Sequence, residues 1–469
     1  MAAKYKNINK IGIATIAGTI GVELVNFILI PIMTRALGTS GYGTISIYSA
    51  WSSVIIAVCG LQTTQSIVYI IAEKKEKVQK DYFASMLVCS TICFVLCGLL
   101  FAAIGSVFGG ILGFPTFLVV IMFLQAFGNY SVNYAGTIFT QQQKPIKQII
   151  LSVSVAISTA LLTIGLVMWI GSAEEKYIGR ILGYAIPYFL IGFGLACKSI
   201  GPNLKKIRFS YIKEYLPLCL PIIVHALASN VFSQSDRVML GYIVDSSAAG
   251  IYSFAYSIAA LLSVAWVTLN SFYQPFFFAY MKNDDIEMVE EKTKNLIELY
   301  TCGYAAFLFV IPEMMTVFGG KDFSSATQYL PVLALGVYFN FLYVFNSNYE
   351  IYYKKTSNIA VATTITAIVN ITLNGLLIPR YSIMGAAVAT LISCAALFLL
   401  HLLFALRISK GKNVQYVFQK RFFAVGGMAA IGATILSYFL KPYFIVRLIA
   451  GIVLAVYILR NMIKRRSII

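Results

Sequence analysis

The stretch Pro31-Ile-Met-Thr-Arg35-Ala-Leu-Gly38-Thr-Ser-Gly41-Tyr-Gly43 ends one long apolar run with an arginine, turns on glycines and opens a second apolar run. Glycine reaches backbone conformations that a side chain obstructs, so this reads as a tight turn between two hydrophobic helices. A charge held in an apolar span is expensive and marks a pathway or a binding site. Asp236-Arg237-Val-Met-Leu-Gly241, followed after a short break by Ala249-Gly250-Ile-Tyr-Ser, repeats the outline, with Leu37-Gly38 and Leu240-Gly241 lying 203 residues apart. Two such places in matching positions fit a chain built from two related halves, as in transporters.

Composition agrees. Of the 469 residues, 59% are hydrophobic and only 12% charged, about half the charged fraction of soluble domains. Mean hydropathy is +0.81. The solvent for this chain is lipid. Its net charge of +18 is spread in short basic clusters between apolar runs, which fits membrane topology better than nucleic-acid binding. Lys4, Lys6 and Lys10 precede an apolar run longer than a signal-peptide core, so that run is expected to be a first spanning helix. All eight cysteines fall in apolar runs. Cys89, Cys93 and Cys97 share one helical face, but no histidine or carboxylate accompanies them, so packing is expected, without disulfides or metal.

Crossing a bilayer takes about twenty apolar residues. Fourteen runs qualify: 11–37, 42–71, 82–108, 115–140, 149–170, 178–197, 215–243, 248–275, 294–318, 326–353, 358–378, 384–406, 421–440 and 443–462. Placing the N-terminus inside puts 28 of the 36 basic residues in the inward connections and leaves Lys176, Lys321, Arg380 and Lys441 in the outward ones. That asymmetry puts both termini in the cytoplasm. Six spans separate the two Leu-Gly sites, an even number of crossings, so the halves are parallel repeats. The expected architecture is an all-α integral membrane protein with about 14 transmembrane helices. It comprises an N-terminal lobe, 1–200 (spans 1–6), a C-terminal lobe, 201–408 (spans 7–12), and an appendage, 409–469 (spans 13–14). Every connection is short, and the charged segment Lys282–Lys294 is expected to form an interfacial helix.

Candidate functional residues are the polar groups inside spans. Glu23, mid-span, reads as a proton or sodium site or as a counter-ion, against a protonated acid bonded to a neighbouring helix. Arg35 lies near the outer end of span 1, placed either to snorkel to the headgroups or to grip phosphate with its planar fork. Arg237 is deeper, with Asp236 beside it; neighbours on a helix point about 100° apart, so the two need not pair. Asn26 and Asn230 match across the halves, and His225 is a proton-relay candidate. Gln65 and the row Gln125, Asn129, Asn133 offer amides that suit sugar hydroxyls as well as helix-to-helix hydrogen bonds. Catalytic motifs are absent; Gly319-Gly320-Lys321 lacks the upstream glycine and the following hydroxyl of a phosphate loop, and an enzyme is not expected.

The run from Lys10 through Asn26-Phe-Ile-Leu-Ile-Pro31 to Gly43, and the Asp236-Arg237-x-x-Leu-Gly241 segment with Ala249-Gly250-Ile-Tyr252, resemble the polysaccharide transporter family of Wzx-type O-antigen and capsule flippases. That family is related to multidrug exporters of the MATE type and to the lipid II flippase. The resemblance implies two six-helix lobes around a central cavity and a cargo of undecaprenyl-pyrophosphate-linked oligosaccharide flipped by alternating access across the bacterial cytoplasmic membrane. It implies Arg35 and Arg237 as pyrophosphate contacts and Glu23 and Asp236 for proton or sodium coupling, with no resident cofactor. Polymerase and glycosyltransferases of the same pathway would be partners. A cation-coupled multidrug exporter is the alternative, and a membrane oligosaccharide polymerase or ligase a second, opposed by the lack of a long outer loop.

Overall fold

The computed structural model describes residues 2–103, 112–172, 174–412 and 416–464. These residues form helices and no strands. In lipid a helix satisfies every backbone donor and acceptor within its own segment, which is why so apolar a chain takes this form.

Among the described residues the fourteen expected spans lie on thirteen helices, because two helices each carry two spans across a bend and span 2 is continued by a short second helix. Helix α1 (Ala2–Cys59) carries spans 1 and most of 2, bent at Gly38 with φ 63° and ψ −174°. Only glycine adopts that region without strain. Nothing lies within 4 Å of where a Cβ would sit there, so backbone conformation alone dictates the glycine. Gly41 and Gly43 are helical, so the turn rests on one glycine and not on three. Span 2 breaks again at Leu61 and Gln62, both left-handed (φ 49° and 50°). Around the break Thr63 bonds to Tyr130 and, at 2.8 Å, to Ser90. The span resumes as α2 (Ser66–Glu73).

Spans 3 to 10 are α3 (Glu76–Ala103), α4 (Thr116–Gln141), α5 (Pro145–Trp169), α6 (Lys176–Ile200), α7 (Phe209–Ile243), α8 (Ser246–Lys282), α9 (Ile286–Gly319) and α10 (Leu330–Tyr352). Helix α11 (Thr356–Lys412) holds spans 11 and 12, bent at Ser382 with φ 48° and ψ −129°. Helices α12 (Lys420–Leu440) and α13 (Phe444–Lys464) complete the set. By length and composition ten described helices can cross a membrane, or eleven if α7, bent by 44° between Leu220 and Ile222, counts as one span.

The second-half break falls where the end of span 7 at residue 243 was expected: α7 continues through Ile243, and the break is made by Asp245, whose carboxylate caps α8 by accepting from the Ala248 amide at 2.7 Å. An N-cap carboxylate satisfies an otherwise orphan helix donor, so this break needs no glycine. The Lys282–Lys294 segment is not a separate interfacial helix. It turns at Asn283–Asp285 and its remainder is the start of α9, capped by Asp285.

The chain divides into two compact units, Met1–Asn230 and Val231–Ile469. In the first, α4, α5 and α6 pack at glycine contacts. A Cβ on Gly128 would stand 2.3 Å from the Tyr188 carbonyl, and one on Gly192 would stand 2.3 Å from the Gly128 carbonyl. On the other face of α6, a Cβ on Gly183 would stand 2.4 Å from Thr163 Cα. Small residues let membrane helices approach until dispersion and side-chain hydrogen bonds hold them. The second unit is an aromatic core, with Tyr300 stacked on Phe341 at 4.0 Å. The terminal α13 is pinned to α9 by Arg447, which donates to both Glu313 oxygens at 2.8 Å and to the Phe309 carbonyl at 2.7 Å.

Candidate functional site

Two polar sites form inside the units, one in each. In the second unit Asp236 on α7 is 2% exposed. Tyr252 of α8 and Thr390 of α11 donate to its Oδ2, the latter at 2.7 Å, and Asn374 of α11 donates to its Oδ1. Asn374 also donates to Asn370 Oδ1 at 3.0 Å, and Ser235 reaches the same oxygen at 2.8 Å. The network is possible because α7 meets α11 on either side of the Ser382 bend, so that Asn374 and Thr390 converge on one carboxylate and Asn370 backs Asn374. Among the described residues no ion pair neutralises Asp236, and the Asn374 Oδ1 and Asn370 Nδ2 atoms are buried without partners. A buried carboxylate held by neutral donors is an electrostatic sink for a proton or a small hard cation, which oxygen ligands suit.

Arg237 points elsewhere, as adjacent positions on a helix require. Its guanidinium lies 4.8 Å over the Tyr256 ring and donates to Gln234, while its Nε is buried without a partner. Arg35 is exposed on its unit. His225 Nδ1 is buried without a partner, and the Asn230 amide bonds back to the Ala226 carbonyl at 2.9 Å. The side chains of Glu23 and Asn26 lie outside the described residues.

In the first unit a cavity of about 280 Å³ opens between α1, α4, α5 and α6. Its wall includes Asn133 and Thr137 from α4, Gln148 and Ser152 from α5, and Tyr184 and Tyr188 from α6. Of the three amides in the expected α4 row Asn133 lines this cavity, and it donates to Asn129, outside the wall, at 2.6 Å. The third, Gln125, is buried at 4% exposure away from the cavity, and Gln65 is exposed in the turn before α2.

Sequence reading passed over Arg180, which stands one helical turn before Tyr184. Its guanidinium donates to Thr163 Oγ1 at 3.0 Å and lies 5.3 Å over the Tyr184 ring. Tyr42, from the opening motif, and Tyr188 are also its electrostatic neighbours. The signal was present as Arg180-x-x-x-Tyr184-x-x-x-Tyr188, a cation and two rings on one helical face. The cysteine stripe also changes membership: the thiols of Cys93 and Cys97 gather with Cys59 within 4.8 Å of one another, and Cys89 stands outside the group.

The sequence signature of the polysaccharide biosynthesis protein family matches residues 9–281, more than half of the chain. The chain belongs to that family. A membrane protein of Haemophilus influenzae is 24% identical over 386 residues, covering 79% of this chain and 92% of the relative. A probable low-salt glycan biosynthesis flippase of Haloferax volcanii is 23% identical over 287 residues, covering 58% of this chain and 60% of the relative. Among solved structures, the lipid II flippase MurJ in an inward closed conformation superposes with a TM-score of 0.63 at 16% identity, over 94% of this chain and 99% of that one. An inward-facing MATE multidrug transporter superposes with a TM-score of 0.65 at 12% identity, over 84% and 96%. At these identities the likeness is one of fold, and the fold is that of the MATE and lipid II flippase transporters.

Proposed function

We propose that this polysaccharide biosynthesis protein is a flippase for lipid-linked oligosaccharide, carried on undecaprenyl pyrophosphate, across the bacterial cytoplasmic membrane with both termini in the cytoplasm. The observation that carries the reading is the buried Asp236 beside Arg237, in a chain of this family. The carboxylate has neutral donors around it and unpartnered amide atoms next to it, as an ion-coupling group requires. The guanidinium has a free Nε and an aromatic shelf, as a phosphate contact requires. The flippase name of the Haloferax relative supports the same cargo class.

In this reading Arg237 and Arg35 hold pyrophosphate, while Asp236, with Glu23, takes a proton or sodium ion whose release is tied to cargo movement. The oxygens of Asp236, Asn374 and Thr390 fit either ion. Coupling needs the ion to bind one conformation better than the other, and a buried carboxylate that loses its donors when α7 and α11 shift would do that. The test is Arg35→Ala combined with Arg237→Ala, scored for membrane insertion and surface polysaccharide. Inserted protein with no polysaccharide is expected. Normal polysaccharide from the double variant would remove these arginines from the mechanism, and unchanged polysaccharide with altered drug sensitivity on deletion would favour an exporter.

A further inference from the structure

We propose that the first unit holds the sugar-phosphate junction of the cargo: a neutral or N-acetylated sugar ring in the α4–α5–α6 cavity, and the phosphate it is attached to on Arg180. The inference rests on the flippase reading and adds a subsite to it.

Three features point to a sugar. Of the fifteen described lining residues six are apolar or glycine, Val22, Val132 and Leu151 among them; the other nine carry amides, hydroxyls or tyrosine rings, and none is charged. Such groups satisfy a ring of hydroxyls without favouring an acid or an amine. Gln148 Oε1 is a buried acceptor without a partner, and it rests where Gly136 has no side chain, 2.7 Å from the site of a Cβ. A sugar hydroxyl is the donor that this atom lacks. Tyr184 and Tyr188, with ring centroids 4.6 Å apart, give the cavity an aromatic wall whose electron-rich faces attract the polarised C–H groups of a sugar. The volume of about 280 Å³ is at the small end of ligand pockets, room for one ring and not a chain.

Arg180 supplies the anion site next to it. Thr159 lines the cavity and Thr163, bonded to Arg180, is one turn further along α5; Tyr184 lines it and Arg180 is one turn further along α6. Both helices therefore place the guanidinium one turn, about 5.4 Å, beyond the sugar wall. Gly183 makes this possible by letting α6 rest on Thr163. Among the described residues no carboxylate pairs with Arg180; Thr163 and the Tyr184 ring touch it, and Tyr42 and Tyr188 are its further electrostatic neighbours. A half-buried guanidinium with no carboxylate paired to it favours an anion. A guanidinium fork held by a neutral hydroxyl and an aromatic ring, and by no carboxylate, matches a phosphate.

The experiment measures binding to purified full-length protein in nanodiscs of three probes: undecaprenyl pyrophosphate bearing one N-acetylhexosamine, bare undecaprenyl pyrophosphate, and undecaprenol. Wild type is expected to bind the sugar-bearing carrier about tenfold tighter than the bare one, the effect of roughly one buried hydrogen bond. Gln148→Leu should erase that ratio while leaving the bare carrier unchanged, and Ser152→Ala serves if the first variant does not fold. Arg180→Gln should weaken both pyrophosphates by about ten- to a hundredfold, as loss of a charge-assisted bond does, and leave undecaprenol alone. Arg180→Lys should recover part of it. A preserved sugar ratio in the α5 variants, or wild-type pyrophosphate binding by a stable Arg180→Gln protein, overturns the proposal. Wild type binding both carriers equally refutes this subsite and leaves the flippase reading standing; wild type binding neither refutes the flippase reading itself.

Discussion

Asp236→Asn is the substitution that separates folding from transport at the buried carboxylate. The two side chains have the same shape, so the question is whether the three donors around position 236 are left stranded. Each has a second acceptor in place: Tyr252 and Thr390 hydroxyls lie 2.9 Å apart, Thr390 also reaches the Ala386 carbonyl at 3.0 Å, and Asn374 reaches Asn370 at 3.0 Å. An asparagine would keep one oxygen toward Asn374 and donate its amide to the hydroxyl pair, both members of which can accept. Converting up to three charge-assisted bonds to neutral ones forfeits about 1 kcal/mol each. The desolvation of a buried charge, worth several kcal/mol in the opposite sense, is relieved at the same time. Net stability should therefore stay within about 1 kcal/mol of wild type, a Tm change of at most about 4 °C. Transport should behave otherwise. In proteoliposomes carrying fluorescent lipid-linked oligosaccharide, flipping by the variant should no longer respond to an imposed proton or sodium gradient. A variant that flips cargo with wild-type gradient dependence would refute the coupling role, and one that fails to fold would refute the account of fallback acceptors.

The two bends give predictions of opposite sign. Gly38→Ala places a side chain in a glycine-only conformation and should destabilise by about 1–3 kcal/mol, although nothing obstructs the new methyl group; Ser382→Gly relieves a left-handed serine and should raise thermal stability by about 1 kcal/mol. Arg447→Ala should release α13 from α9, seen as faster hydrogen exchange in Phe444–Lys464; because Glu313 is 38% exposed, its loss should cost only about 1–3 kcal/mol, below the figure for a fully buried pair. Between the connections 72–81 and 198–214, Lys74 bonds to Glu214 at 2.5 Å and Tyr82 donates to the same carboxylate at 2.9 Å. Lys74 above all holds the Glu214 carboxyl below its usual range, so its contribution is present above about pH 4.3, the ordinary glutamate value, and is lost as pH falls through the lower folded value. Exchange protection at the start of α7 should be flat from neutral pH down to about pH 5 and fall under stronger acid; a loss near pH 7 would contradict the assignment.

The helical membrane fold was legible because it depends on the length and period of the apolar runs, which are written along the chain. The turn at Gly38 was legible in kind, since an Arg-Ala-Leu-Gly run between apolar segments has few other readings. The break in the second half was legible in place but not in kind: Leu240-Gly241 has the same letters without the left-handed backbone, and Asp245 does the turning by capping. Asp236 was found from sequence because a carboxylate so deep in an apolar run is rare. Its partners were not: the break between spans 11 and 12 was legible at 379–383, where Ser382 bends α11, but hydropathy does not say that Asn374 and Thr390 on either side of it face Asp236. Arg180 was overlooked for the opposite reason. It sits close to the start of its helix, where an arginine is unremarkable, and only the glycine contact between α5 and α6 draws it inward.

That glycine seam has a consequence for how such a pocket can change. The rings of Tyr184 and Tyr188 stand where they do because Gly128, Gly183 and Gly192 let three backbones touch. The width of the cavity is thus set by residues that never meet its contents. Exchanging the lining would change which hydroxyls are recognised while leaving the chamber the same size. Admitting a bulkier ring would require alteration of the seam, where a single added methyl group meets a carbonyl head-on. The chemistry of selection and the dimension of the chamber are held by separate residues, and they can drift independently.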